Sequence, residues 1–156
     1  KSVEERKKHP NQFFMTNNFV VHKQVLLQHP FDERLTQYGH EDTLFGLLLK
    51  NNRIAIDHIE NPVLNGDIET NVVYLQKTER AIDNLHLILQ FYPSTELLEN
   101  INLLKAANKL RFFQKIGVFK FGYFLFSKWI KSRLIHSKNP NLRLFSIYKL
   151  LYFSKK

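Results

Sequence analysis

Apolar residues at Val72, Leu75, Ile82, Leu85 and Leu89 recur at the spacing of one helix face. They predict a long helix from about Thr70-Asn71 up to Pro93, where proline removes the amide that continuation would need. Leu97, Leu98, Ile101 and Leu104 form a second stripe, with Thr95 as its expected cap and Glu96 in the first turn. Upstream the pattern is shorter and less regular. Residues 13–21 (FFMTNNFVV) read as a strand-like segment interrupted by the polar Thr16-Asn17-Asn18. Lys23 to Gln28 reads as a short helix stopped at His29-Pro30, and residues 31–42 as a loop. From Asp42, TLFGLLLKNN predicts a compact helix closed by Asn51-Asn52, and RIAIDHI after it alternates as a short strand. Asn61-Pro62 and Asn65-Gly66-Asp67 carry turn chemistry. Beyond Leu110 the chain becomes basic and aromatic until Asn139-Pro140-Asn141 breaks it before a last short helix, NLRLFSIYKLLYF. The expected order is strand, helix, loop, helix, strand, then helices to the end.

Composition narrows the classes. The 156 residues and 18.6 kDa are one domain's worth of chain, with 44% hydrophobic residues, so neither disorder nor low complexity is expected. The absence of cysteine excludes a disulfide framework, thiolate catalysis and Cys-ligated zinc or iron–sulfur, and is compatible with a reducing compartment. No window reaches the roughly 18–20 apolar residues of a spanning helix. The chain starts at Lys1 in charged sequence without an apolar signal core, so a signal peptide is not expected and a missing N-terminal part is.

The net charge of +9 is an average over two regions of opposite sign. Of 23 basic residues, 13 lie between Lys105 and Lys156, and no acid follows Glu99. The remainder holds 10 basic and 14 acidic residues, net −4. Chemistry is most concentrated in that acidic part. Asp32, Glu33, Glu41 and Asp42 place four carboxylates within eleven residues, on a loop with Gly39 that enters a helix. A purely structural use is available: Asp42 as N-cap, Glu41 complementing the helix dipole, Asp32-Glu33 as loop surface.

An ordered set of segments gives the carboxylates a second meaning. Thr16-Asn17-Asn18 precedes a short helix; Phe31-Asp32-Glu33 opens a loop; Tyr38-Gly39-His40-Glu41-Asp42-Thr43-Leu44-Phe45-Gly46 follows. Then come His58-Ile59-Glu60-Asn61-Pro62-Val63 and Tyr74-Leu75-Gln76-Lys77-Thr78-Glu79. In this order the chain resembles the C-terminal half of a family 2 glycosyltransferase of the bacterial polysaccharide type, over about residues 13–90. The resemblance implies an α/β class: the C-terminal half of a GT-A (Rossmann-like) fold, mostly helical in this piece with a few short strands. Residues 1–93 would be the acceptor-binding, catalytic half and residues 94–156 a helical basic-aromatic tail.

The same resemblance implies an inverting transfer of a sugar from a nucleotide-sugar donor to a saccharide or lipid-linked acceptor. Asp42 would be the general base and Glu41 would hydrogen-bond the acceptor. Gly39 and His40 would line the acceptor side, Asn17 and Asn18 would lie near donor or acceptor, and Asp32 would sit on the acceptor loop. A divalent cation, Mg²⁺ or Mn²⁺, is common in relatives, several of which place a histidine after the Asn-Pro turn. Asn65 stands there in this chain, and an amide oxygen is a weaker Mn²⁺ ligand than imidazole. His58 reads as a hydrogen-bonded core histidine, and Asp67-Ile68-Glu69 as surface turn and helix start. No Gly-rich phosphate loop, Asp-x-Asp, HExxH or Gly-x-Ser-x-Gly is present, so nucleotide binding is not expected from these residues alone.

Residues 110–136 carry Arg111, Lys115, Lys120, Lys128, Lys131 and Arg133 among eight aromatic residues from Phe112 to Trp129. Such a segment suits an anionic membrane surface, aromatic side down and lysines snorkelling to the head groups. It equally suits a helical appendage packed on its own domain. Nucleic-acid binding is not expected, because the body is net negative and no recognised module is present. The localisation expected is cytoplasmic, peripheral on the inner membrane face. The alternative to an enzyme is a non-catalytic membrane-surface or partner-docking helical module.

Overall fold

The computed structural model describes residues 1–64, 66, 68–93, 97 and 100–155. The chain divides into two compact units, Lys1–Ile68 and Glu69–Lys156. The expected boundary at 93/94 lies one helix further along, because the helix that begins at Asn71 packs within the second unit.

In the first unit, α1 (Val3–Lys8) opens with a capping box: Ser2 Oγ accepts from the Glu5 amide and Glu5 accepts from the Ser2 amide. Proline at the start of the next turn supports a 3₁₀ helix over Pro10–Phe13. The short α2 (Lys23–Gln28) ends at His29-Pro30 as its sequence dictates, and α3 covers Glu41–Asn51. The small core is Phe14, Phe45 and Leu49, with Phe19, Val25, Leu26, Leu48, Ile54 and Ile56 against it. Phe31 stacks on Phe45 at 4.4 Å between ring centres. Helix α3 lies against the 3₁₀ turn at Gly46, where any Cβ would collide with the Asn11 carbonyl oxygen. Asn11 Nδ2 donates to the Gly46 carbonyl at 3.0 Å, so the bare glycine surface is gripped from the other side as well.

The α/β expectation is overturned. Helix accounts for 64% of the structure and strand for 0%, with no sheet among the described residues. Both expected strands fail for want of a partner, since an extended segment becomes a strand only when its backbone pairs in a ladder. Residues 13–21 are split between the end of the 3₁₀ turn and a turn at Thr16-Asn17. Residues 54–59 are irregular and keep their alternation, with Ile54, Ile56 and His58 half-buried and Ala55, Asp57 and Ile59 exposed. Side chains do the work of a ladder here. Asn18 Nδ2 donates to the Asn61 carbonyl at 2.9 Å, and the Arg6 guanidinium donates to the Ile59 carbonyl at 3.4 Å.

The second unit is built of helices, three of them long. These are α4 (Asn71–Phe91), α5 (Asn102–Lys109), α6 (Arg111–Lys115), α7 (Val118–His136) and α8 (Leu142–Phe153). Thr70 caps α4 through the Val73 amide, and Asn141 caps α8 through the Arg143 and Leu144 amides. The expected cap at Thr95 lies outside the described residues. Helix α8 packs against α4, α5 and α7. The five-residue link from α7 to α8 makes those two antiparallel neighbours. Asn71 Nδ2 donates to the Ile135 and Ser137 carbonyls, which ties the start of α4 to the end of α7. Leu75, Ile82, Ile130, Leu134, Tyr148, Leu151 and Tyr152 form the core cluster. Among the described residues no helix is long and apolar enough to cross a membrane.

Candidate functional site

The loop-to-helix junction at Gly39–Asp42 is set by backbone conformation. Gly39 (φ 104°) and His40 (φ 69°) both take positive φ, so the chain reverses sharply before α3 begins at Glu41. For His40 this is the left-handed region, which costs a residue with a Cβ roughly 1–2 kcal/mol. His40 occupies the N-cap position, but its imidazole does not cap the helix. Glu41 and Asp42 are therefore the first two helical residues, and Asp42 is not spent as an N-cap.

Asp42 instead reaches across the unit. Thr16 Oγ1 donates to Asp42 Oδ1 at 3.0 Å, joining segments 26 positions apart. Among the described residues Thr16 is the one hydrogen-bond partner of that carboxylate. Glu41 Oε2 is buried and has no hydrogen-bond partner among the described residues. A buried carboxylate oxygen in that condition costs a few kcal/mol unless a ligand or solvent satisfies it.

The first unit also holds an open cavity of about 490 Å³, within the range of small-ligand sites, whose lining does not include Glu41 or Asp42. Its lining includes Asn17, Asn18, His58, Arg6, Phe14 and Phe45. Met15 and Asn17 lie on the cavity wall while the Thr16 hydroxyl between them holds Asp42. Asn17 is exposed, whereas the Asn18 amide is committed to the Asn61 carbonyl. His58 Nε2 lies 2.9 Å from the Pro10 carbonyl oxygen, fixing the extended segment to the 3₁₀ turn. It is a hydrogen-bonded, half-buried histidine.

Of the residues expected at a site, Gly39, His40, Glu41 and Asp42 lie together at the α3 start, and Asn17 and Asn18 lie on the cavity. Thr16 joins the two groups. Asp32 is held locally: Arg34 donates to its carboxylate through Nε at 2.8 Å and Nη2 at 2.7 Å, and through the Arg34 amide at 3.0 Å. Asn65 lies outside the described residues. No group of three or more His, Cys, Asp or Glu side chains able to hold a metal ion occurs among the described residues.

Two polar contacts lie beyond the residues expected at a site. Thr16 was visible only as part of a polar interruption, and nothing in the spacing announced its reach to Asp42. The second is a polar ladder inside the second unit. Tyr148 Oη and Lys131 Nζ both donate to Glu79 Oε1, the lysine at 2.8 Å, and Tyr152 Oη donates to Asp83 Oδ2 at 3.1 Å. Burial and the Glu79 bond push the Tyr148 phenol far above its ordinary value; burial and Asp83 do the same for Tyr152. The signal was two pairs at a spacing of four, Glu79/Asp83 and Tyr148/Tyr152, readable as matching faces of neighbouring helices.

Comparison with protein-family models, with curated proteins and with solved structures finds no match to this chain.

Proposed function

We propose that the first unit is the acceptor side of a glycosyl-transfer centre, with Asp42 as the general base. The observation that carries the reading is the Thr16–Asp42 hydrogen bond, which anchors one carboxylate oxygen at the start of α3 and leaves the other for a substrate hydroxyl. In the proposed step an acceptor hydroxyl gives its proton to Asp42 while its oxygen bonds to the anomeric carbon of a nucleotide sugar. The bond from that carbon to the diphosphate breaks, the nucleoside diphosphate leaves with the electron pair, and the configuration inverts.

Glu41, with an oxygen in want of a donor, is suited to accept a second hydroxyl of the acceptor and so align the first. Asn17, an exposed residue on the cavity wall, offers a polar side chain to a saccharide. The reading assigns acceptor and base to these residues and leaves the nucleotide to groups they do not include. It makes no use of a sheet. A divalent ion would serve the leaving diphosphate, and the described residues offer no ready cluster for one.

The test is Asp42→Asn in the full-length protein, scored by nucleoside diphosphate release from a panel of nucleotide sugars with saccharide and lipid-linked acceptors. Transfer should fall by about 10²–10⁴-fold, with acceptor binding, followed by saturation-transfer NMR, retained. Undiminished turnover in Asp42→Asn would remove the base assignment.

A further inference from the structure

Helix α7 is apolar on two opposite sides. Phe119, Tyr123, Ile130 and Leu134 face the core with α4 and α8. On the other side Val118, Phe121, Leu125 and Trp129 follow at spacings of three, four and four, one continuous stripe on a 3.6-residue repeat. That stripe is exposed: Phe121 by 65%, Trp129 by 57%, with Phe124 alongside at 81%. Phe112, Phe113 and Ile116, in and just after α6, extend the exposed apolar surface toward the N-terminal side. Single exposed hydrophobic residues are ordinary; a contiguous aromatic stripe along a helix is the mark of a docking surface.

Charge selects the occupant. Lys115, Lys120 and Lys128 are exposed around the stripe and make no ion pair among the described residues. The nearest acids in sequence all precede residue 100, and Glu79 is already taken by Lys131 and Tyr148. The surface is thus aromatic in the middle and cationic at the edges, and among the described residues no carboxylate pairs with these three lysines. A convex helix face offers no groove along which a nucleic-acid backbone could run. It does match the layering of a lipid interface, with rings at the depth of the acyl boundary and ammonium groups among anionic head groups. Since no described helix can span, the contact is with the surface plane.

We propose that the outward face of α7 docks onto an anionic lipid surface, with Phe121, Phe124, Leu125 and Trp129 entering the interface and Lys115, Lys120 and Lys128 meeting the head groups. This surface is independent of the Asp42 chemistry, and neither proposal stands or falls with the other.

Trp129 is the only tryptophan, so its fluorescence reports on this face alone. Vesicles of phosphatidylglycerol and phosphatidylcholine in equal parts should shift its emission to the blue, and brominated lipid should quench it. Partition should exceed that on pure phosphatidylcholine by about a hundredfold, the effect of three lysines at an anionic surface, and added salt should reverse it. Phe121→Ser/Phe124→Ser/Leu125→Ser, all at exposed positions, should keep the helical circular dichroism and lose the shift. Lys115→Gln/Lys120→Gln/Lys128→Gln should abolish the preference for anionic vesicles. The proposal is overturned by an unshifted Trp129 with anionic vesicles, by equal partition on both vesicle types, or by lipid binding that survives the triple serine variant. It is equally overturned if Trp129 is occluded without lipid in a concentration-dependent dimer, or if an RNA oligonucleotide protects it better than vesicles do.

Discussion

In the second unit three long helices, α4, α7 and α8, bury a continuous cluster of Leu, Ile and Tyr. In the first, three short helices and a 3₁₀ turn surround a core of Phe14, Phe45 and Leu49. The units also satisfy their polar groups differently. The second keeps nearly all backbone bonds inside its helices and uses side chains to lock helices together, as in the Glu79–Tyr148 and Asp83–Tyr152 rungs. The first has long stretches outside regular structure, and side chains must serve as partners for the main chain: Asn11 for Gly46, Asn18 for Asn61, His58 beside Pro10. A unit held this way can present groups such as Asp42 on loops and helix ends, at the cost of depending on individual contacts.

The contrast fails most visibly if Asp42 is dispensable. Asp42→Asn should remove two to four orders of magnitude of transfer, while leaving amide exchange along α3 unchanged. A drop in the stability of α3 instead would mean that the carboxylate is structural.

A smaller effect separates the two kinds of packing. Leu85 is fully buried, and Leu85→Ala should lower the unfolding free energy by about 2–5 kcal/mol, read from a urea titration. Gly46→Ala should cost about 1–3 kcal/mol, because the new methyl would push the Asn11 carbonyl off α3. Its signature is accelerated amide exchange along α3. Unchanged exchange there would show that the first unit does not hang on that single approach.

How legible each unit was in the sequence follows from the same contrast. Helix α4 is legible from Val72 to Leu89 because its stripe has five members and its ends carry Thr70 and Pro93. The last helix was equally plain between Asn141 and Phe153. Local signals suffice where each turn contributes to the same face. RIAIDHI failed as a strand because a period of two announces two environments and not a hydrogen-bonding partner. The α3 start was legible from Gly39 and the acids, but Thr16 was not, since a contact 26 residues away leaves no mark in spacing. Nor did the sequence distinguish the inner from the outer aromatic residues of α7; that required α4 and α8 in place.

The tyrosine rungs give the second unit a pH response. The phenols of Tyr148 and Tyr152 are raised from an ordinary value of 10.0 by burial and by their carboxylate partners. Below pH 10 both folded and unfolded chains keep these protons and the stability is fully present. Above it the unfolded chain ionises while the folded chain resists, so stability is lost as pH rises through the folded values. The slope is at most about 1.4 kcal/mol per pH unit for each tyrosine. Lys149, whose pKa is lowered by burial, acts in the opposite sense and makes the net fall shallower. Urea midpoints measured on both sides of pH 10 should fall in the native protein and flatten in Tyr148→Phe/Tyr152→Phe. An equal fall in both would place the alkaline sensitivity elsewhere.

The smallest effect concerns two residues of the first unit in left-handed backbone, His40 (φ 69°) and Arg53 (φ 56°). Arg53 closes α3 in a Schellman turn. Its amide donates to the Lys50 carbonyl at 3.0 Å, and the Ile54 amide donates to that of Leu49 at 2.9 Å. Glycine is the residue such a position prefers, so Arg53→Gly should stabilise α3. The strain relieved, roughly 1–2 kcal/mol, is offset by the 0.5–1 kcal/mol of extra freedom that glycine gives the unfolded chain, roughly. A net gain of about half a kcal/mol should appear as slower amide exchange at the end of α3, with transfer unaffected. His40→Gly relieves the same kind of strain at the other end of the helix, and should bring a similar gain. There, however, the imidazole stands beside Glu41 and Asp42, and acceptor binding should weaken as stability rises. Opposite signs for stability and binding at residue 40, with no such split at residue 53, are what a functional left-handed residue predicts. If both substitutions stabilise and neither touches binding, the strain at His40 serves only to start a helix.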